Sequence, residues 1–227
     1  MANITEYTVT MKEGSDTYIM RPLIMSDKAF FLECFKDFPT EDTTRNWGLQ
    51  FERWLEHWVE SHEDFEYPLP EGKEVAVAQV ASKNGTPIFI TYSIYNNGVH
   101  YEDTLYERDL RIAIHPDQRG KGLYKYYIAL IHYYTYVHVK ADYMTYETFD
   151  SVKKILKYQK DNNWEYLETK DAGVQGKKHI FKNTKEQYSQ NSNYTFEVTK
   201  ATYDKTDARY ATNGIKATYL KWDDGLT

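Results

Sequence analysis

The most informative stretch of this sequence is LRIAIHPDQRGKGLY, which occupies residues 110–124. Leucine and isoleucine alternate with other residues in its first five positions, and this period of two predicts the end of a β-strand over residues 104–114. From residue 122 to about residue 138 the apolar residues recur with helical spacing instead. Gly120 and Gly122 therefore lie where a strand is predicted to pass into the N-terminus of a helix.

A junction of this kind attracts phosphate groups. The first turn of a helix leaves backbone N–H groups unpaired, and the helix dipole adds partial positive charge there. The two glycines let the backbone bend and approach an oxyanion, while Arg119 and Lys121 add full positive charges. The spacing fits neither the loop that binds nucleoside triphosphates nor the dinucleotide fingerprint. We therefore expect the loop to bind an adenosine diphosphate moiety, with an ordinary glycine-containing turn as the alternative.

The remainder of the chain alternates between predicted strands and helices. A strand, a helix and a strand around the loop form a βαβ unit, because residues 142–148 are extended again after the helix. The order of all elements predicts an α+β fold in which helices flank a mixed, mostly antiparallel sheet. The other predicted elements are strands at residues 17–23, 74–81, 88–95, 165–167 and 179–182, and helices at about residues 26–38, 44–61 and 151–162.

Length and composition favour one main domain with a short extension. A chain of 227 residues with 41% hydrophobic residues can bury one sizeable core. We assign residues 1–182 to this domain. Residues 183–227 are polar and rich in Tyr, Thr and Asn, with extended patterns only at residues 195–199 and 215–222. They are predicted to form a small C-terminal β appendage, whose role the sequence does not indicate.

Composition also argues against several classes of partner and site. The formal charge of -6 and the pI near 5.7 do not favour nucleic acid as a partner. Cys34 is the single cysteine, so it cannot form an intrachain disulfide, and we predict no metal site. The N-terminal residues show no signal-peptide pattern, and no run approaches the ~18 apolar residues of a membrane span. We therefore expect no membrane partner and a cytoplasmic location.

Residues 119–124 resemble the coenzyme A signature of the GNAT acetyltransferase superfamily, which is written Gln/Arg-x-x-Gly-x-Gly/Ala and follows a strand that ends in a hydrophobic-x-Pro pattern. Arg119, Gly122 and Tyr124 fall on its three named positions, and Tyr124 departs from the usual Gly or Ala. By the order of its elements the likeness extends over roughly residues 17–182, although only the residues around the loop are specific in sequence.

The resemblance implies acetyl-CoA as the acyl donor and a coenzyme A thioester that lies in a splayed sheet. The splay is expected between the fourth and fifth predicted strands, residues 104–114 and 142–148. Backbone groups of residues 112–114 would pair with the amides of the pantetheine arm, and the glycine loop would hold the pyrophosphate. The residues implied in coenzyme binding are Ile112, Ala113, Ile114, Gln118, Arg119, Gly120, Lys121, Gly122, Leu123 and Tyr124.

Transfer of an acetyl group to an amine requires a neutral amine, a polarised carbonyl and a protonated leaving thiolate, so the site needs a base and an acid but no covalent nucleophile. Tyr158 is the candidate acid, by resemblance to a family pattern Tyr-x-x-x-Gly-Phe from which this chain differs by one extra residue. Asn163 can take the left-handed conformation of the missing glycine. Glu107 and Asp109 are the candidate bases, and Glu147 is a further carboxylate near the predicted splay. The structural alternatives are a tyrosine that packs by its ring and carboxylates that form salt bridges.

The acceptor is predicted only as a class. Residues 41–74 contain ten Asp or Glu against three Lys or Arg, and such a negative rim would favour a cationic amine, whereas a solvated helix face is the alternative. The sequence therefore predicts an N-acetyltransferase that acetylates a primary amine, on a small molecule or a protein, by direct attack in a ternary complex. Two other functions stay open: a non-catalytic GNAT-fold structural or interaction module, such as a component of a virus particle, and a nucleic-acid-associated protein that stacks bases on its aromatic residues. The oligomeric state is not predicted.

Overall fold

The computed structural model describes residues 2–37, 47–99, 105–171, 173 and 176–212, and at residues 107–110 it describes the backbone alone. The strands in this part of the chain are β1 (Asn3–Glu13), β2 (Asp16–Pro22), β3 (Lys73–Lys83), β4 (Thr86–Asn97), β5 (Leu105–Ile114), β6 (Tyr143–Phe149), β7 (Glu165–Asp171), β8 (Lys177–Thr184) and β9 (Thr195–Asp204). The α-helices are α1 (Lys28–Phe35), α2 (Trp47–Ser61), α3 (Tyr124–His132) and α4 (Lys153–Asp161), and α3 continues into a π-helical segment, Tyr133–Val139.

The nine strands form one sheet, in the order β7-β8-β6-β5-β4-β3-β2-β1-β9. All neighbouring strands in it are antiparallel except β5 and β6, which are parallel and are connected through α3. The predicted βαβ unit and the predicted mixed, mostly antiparallel sheet are therefore confirmed. β3 and β4 are joined by a turn in which Asn84 and Gly85 adopt φ angles of 49° and 81°.

Helices cover both faces of the sheet. α1 and α2 pack on one face, where the side chains of Phe51, Trp54 and Trp58 are buried. Trp54 stacks on Tyr92 of β4, with ring centroids 4.6 Å apart. The opposite face is covered by α3, its π-helical continuation and side chains of α4. The aromatic stripe of the second predicted helix therefore faces the core, because burying these rings removes a large apolar surface from water.

The C-terminal extension crosses one helical layer and joins the sheet. Tyr188 packs against His132, with ring centroids 6.2 Å apart, and Phe196 stacks on Tyr133 at 4.1 Å. β9 then pairs antiparallel with β1 along its whole length. The strand predicted at residues 195–199 is thus an edge strand of the main sheet, whereas the strand predicted at residues 215–222 lies outside the described residues.

In the described part of the chain, none of the helices combines the length and the apolar character that crossing a membrane would demand.

Candidate functional site

The two parallel strands at the centre of the sheet separate part-way along their length. β5 and β6 pair over residues 106–109 and 143–146. Beyond this pairing β5 runs on to Ile114 and β6 to Phe149. The register between β4 and β5 shifts next to Tyr92, close to the point of separation. The sheet therefore opens into a V between β5 and β6, at the place where the sequence predicts a splay.

The loop that follows β5 is shaped by a short capped turn and two glycines. Nδ1 of His115 accepts a hydrogen bond from the backbone N–H of Asp117 at 3.3 Å and so caps the 3-10 turn Pro116–Gln118. Gly120 and Gly122 have φ angles of 77° and 72°, a left-handed conformation that other residues rarely adopt. A Cβ placed on either glycine would meet no described atom within 4 Å. The loop thus needs glycine for its conformation and has open space beside it.

Arg119 braces this loop against α1. Its Nε donates to the backbone carbonyl of Ile114 at 3.0 Å, and one terminal nitrogen donates to the carbonyl of Cys34 at 3.2 Å. The other terminal nitrogen forms a salt bridge with Asp37 at 2.9 Å. Three groups therefore share the guanidinium, and its main effect is to fix the path of the loop.

The second cation of the loop is exposed at the start of α3. Nζ of Lys121 donates to Oε1 of Gln118 at 3.3 Å across the exposed side of the loop. Leu123 is buried at the N-cap of α3, and its side chain makes no capping hydrogen bond. The helix N-terminus therefore carries a nearby positive charge but no side-chain acceptor from its cap, which suits an external anion.

Tyr158 of α4 lies against the first turn of α3. Its ring contacts the ring of Tyr124, with centroids 5.4 Å apart and planes at 87°, and Trp164 packs on it at 6.0 Å. Burial raises the pKa of the Tyr158 hydroxyl, so the group stays protonated near neutral pH, as a proton donor must. Asn163 closes α4 with a φ of 56°, the left-handed conformation that the sequence predicts there.

A cavity of about 390 Å³ adjoins Tyr158 and is enclosed by α3, the end of α4 and the C-terminal extension. Lys125 and His132 line it from α3, and Tyr188 and Tyr194 line it from the extension. The extension is therefore part of the surroundings of the candidate acid.

Comparison with known proteins identifies the architecture. No family model matches the chain, and no curated protein matches it in sequence. Solved structures do match: RimJ of Mycobacterium smegmatis in complex with CoA-disulfide aligns with a TM-score of 0.57 at 11% identity, over 82% of this chain and 91% of that chain. The chain has the GNAT fold.

Two further solved structures share it. A mutant of the spermidine N-acetyltransferase SpeG from Vibrio cholerae aligns with a TM-score of 0.55 at 11% identity, over 75% of this chain and 95% of that chain. An uncharacterized protein from Bacillus halodurans aligns with a TM-score of 0.55 at 12% identity, over 75% of this chain and 86% of that chain. At these identities the likeness is one of fold.

Within the GNAT fold, β5 supplies one wall of the opening. The side chains of Ile112 and Ile114 pack toward α3, and Ala113 is buried toward α1 and α2. Glu107 and Asp109 lie on the stretch of β5 that still pairs with β6. Their side chains are outside the described part of the structure, so their role as bases stays a prediction.

A cluster of charged side chains bridges the opening of the GNAT sheet. Oε2 of Glu147 on β6 lies 2.9 Å from Nζ of Lys178 on β8 and 3.6 Å from a terminal nitrogen of Arg111 on β5. The side chains of Glu147 and Lys178 are only 3% and 7% exposed. Glu147 is therefore committed to two ion pairs, one with the neighbouring strand β8 and one across the opening with β5, which corresponds to the salt-bridge alternative considered for it.

His57 of α2 lies beside the candidate site, although the sequence did not predict it as a site residue. Nδ1 of His57 lies 2.7 Å from the hydroxyl oxygen of Tyr92, the residue that pairs with Arg111 beside the opening. Burial lowers the pKa of His57 and raises the pKa of Tyr92, so both side chains are neutral near pH 7 and share a hydrogen bond between uncharged groups. The pair is 35 residues apart and forms only because α2 packs on β4, so no spacing in the sequence marks it.

Proposed function

We propose that the chain is an N-acetyltransferase that moves an acetyl group from acetyl-CoA to a primary amine by direct attack in a ternary complex. The observation that carries this proposal is the opening between β5 and β6, which leads at Ile114 into a loop with two left-handed glycines and then into the N-terminus of α3. The names of two structures with the same fold support the reaction class and the donor, since one is a spermidine N-acetyltransferase and the other contains CoA-disulfide.

The residues present fit a coenzyme A thioester. Open space lies beside Gly120 and Gly122, where backbone N–H groups of the loop and of the helix start would bind the pyrophosphate. Lys121 would add its charge from the exposed side. The backbone of residues 112–114, along the wall of the opening, would bind the amides of the pantetheine arm.

Proton transfer is assigned to side chains near the opening. Tyr158, protonated at neutral pH, would give its proton to the departing thiolate. Glu107 and Asp109 are proposed to take the proton of the acceptor amine, directly or through water. Glu147 is left out of this role because Lys178 and Arg111 hold its carboxylate.

Calorimetry of acetyl-CoA binding tests the proposal through the loop. Gly122→Trp should abolish binding, because the indole would occupy the open space beside the loop. Gly85→Trp is the matched control, since Gly85 also has a positive φ and open space around it but lies in the turn between β3 and β4. We expect micromolar binding by wild type and by the control, followed by acetylation in a screen of amines. A folded wild-type protein that does not bind acetyl-CoA would refute the proposal.

One observation favours a second candidate, a GNAT-fold module that does not catalyse acetyl transfer. The rings of Tyr124 and Tyr158 are in contact between α3 and α4, close to where the pantetheine arm would have to lie. In this case the folded protein would fail to acetylate any amine of the screen, whether or not it binds acetyl-CoA.

A further inference from the structure

The contact between Tyr124 and Tyr158 closes the space between the first turn of α3 and α4. Ring centroids 5.4 Å apart with planes at 87° correspond to an edge-to-face contact. Rings at this separation touch, so no chain of atoms fits between them. The two residues come from helices that follow β5 and β6, the strands that separate.

Both rings are partly buried, and each packs against one further buried ring. Trp164 packs edge-on against Tyr158, and Trp164 itself is buried and stacks on Tyr146 with centroids 4.5 Å apart. Tyr124, in the first turn of α3, packs in addition on the buried ring of Tyr127, with centroids 5.7 Å apart. Tyr124 is therefore the ring on the side of the glycine loop, and Tyr158 is the ring on the side of the helix after β6.

We propose that Tyr124 controls access of the donor, so that its ring must turn away from Tyr158 before the pantetheine arm can lie along β5. This inference rests on the proposed function, because it concerns the same coenzyme site. It gives a physical role to the one position at which the loop departs from its family pattern. The open and closed positions of the ring form a two-state equilibrium, and the closed state lowers the apparent affinity for the donor.

The size of the effect follows from the contact that must be broken. An edge-to-face pair of aromatic rings contributes about 2- to 12-fold to an equilibrium constant. A variant that lacks the ring at position 124 should therefore bind acetyl-CoA about 2- to 12-fold more tightly than wild type. The affinity for a ligand without a pantetheine arm should be the same in the variant and in wild type.

Calorimetry with two probes, acetyl-CoA and adenosine 3′,5′-bisphosphate, tests the proposal on four proteins. Tyr124→Ala should bind acetyl-CoA more tightly than wild type and bind the bisphosphate equally well. Tyr124→Phe keeps the ring and should behave as wild type. Tyr133→Ala is the matched control, because it also removes a tyrosine ring stacked on another aromatic residue, Phe196, but far along the helix from the loop.

Each outcome decides a different point. If wild type binds acetyl-CoA and folded Tyr124→Ala binds it equally or more weakly, the access role is refuted while the proposed function stands. If neither protein binds acetyl-CoA, the proposed function fails and the access role fails with it. Circular dichroism confirms that each variant is folded, and Tyr124→Leu, which also lacks the aromatic ring, replaces the alanine variant should that variant unfold.

Discussion

Replacing Lys178 with methionine should destabilise the chain strongly, because it leaves a buried carboxylate with a weakened set of partners. Nζ of Lys178 lies 2.9 Å from Glu147, and the two side chains are 7% and 3% exposed. Removing one partner of a buried ion pair costs about 3–5 kcal/mol. Arg111 remains 3.6 Å from the same oxygen with its side chain 28% exposed. We therefore expect the lower end of that range, a loss of about 3 kcal/mol.

Urea unfolding followed by tryptophan fluorescence measures this loss. With a slope of about 2.5 kcal/mol per M, the midpoint should fall by about 1.2 M. Lys157→Met is the control, since Lys157 pairs with Asp161 at 2.7 Å while their side chains are 75% and 56% exposed. An exposed pair contributes about 0.5 kcal/mol or less, so the midpoint of the control should move by about 0.2 M or less.

The double variant that combines Lys178→Met with Glu147→Gln should unfold at a higher urea concentration than Lys178→Met alone. Replacing the carboxylate with a neutral amide removes the uncompensated charge, so part of the lost stability should return. The reasoning is refuted if Lys178→Met shifts the midpoint no more than Lys157→Met does. That result would mean that the buried pair of Glu147 and Lys178, which joins β6 to β8, contributes no more to stability than an exposed pair.

Two other predictions concern pH and catalysis. Burial lowers the pKa of His62 to about 4 and of His132 to about 3, so below about pH 6.5 the unfolded chain binds two protons that the folded chain does not. Between pH 6 and pH 4 the free energy of unfolding should therefore fall with falling pH, by up to about 2.7 kcal/mol per pH unit from these two histidines. Urea titrations at a series of pH values measure this slope. In His132→Gln the slope from these two positions should be about half as steep, because only His62 remains. Tyr158→Phe should lower the rate of acetyl transfer about 100-fold while calorimetry finds the affinity for acetyl-CoA unchanged within about 2-fold; an unchanged rate would place the acid elsewhere.

The central part of the fold could be predicted because its signals are local. One short stretch contains the alternation that ends at Ile114, the glycines at 120 and 122 and the helical pattern after them. The strand and the helix each have their own periodicity, and the glycines mark the loop between them. The stripe of α2 that contains Trp54 was equally readable, because its spacing of three and four residues is that of a buried helix face.

The outer part of the sheet could not be predicted in the same way. β1 contains Tyr7, Val9 and Met11 in alternation with threonines, which is typical of a strand, but no strand was predicted there. Its partner β9 begins at Thr195, and nothing local specifies a pairing between the two ends of the chain. Such a register is fixed by tertiary packing, including the stack of Phe196 on the helical layer.

The same contrast separates the two sides of the candidate site. The donor side is built mainly from the loop after β5, a contiguous stretch with a recognisable pattern. The opposite side is built from α2, β4, β5, β6 and β8, which bring together His57, Tyr92, Arg111, Glu147 and Lys178. Those residues have no common spacing, so only the structure reveals that they are neighbours.

The acidic run at residues 41–74 shows why a charge count does not replace this information. Glu52 pairs with Lys28 at 2.5 Å, Glu63 with Lys205 at 2.8 Å and Glu66 with Lys200 at 2.6 Å. Lysines from distant parts of the chain thus neutralise three of the ten carboxylates in the negative rim that the sequence suggested. Long-range attraction of a cationic amine is correspondingly weakened. For the proposed transfer, variants at Arg111, which lies on β5 beside the opening, should therefore alter the ratio of acetylation rates for cationic and neutral amines more than variants of these three paired glutamates do.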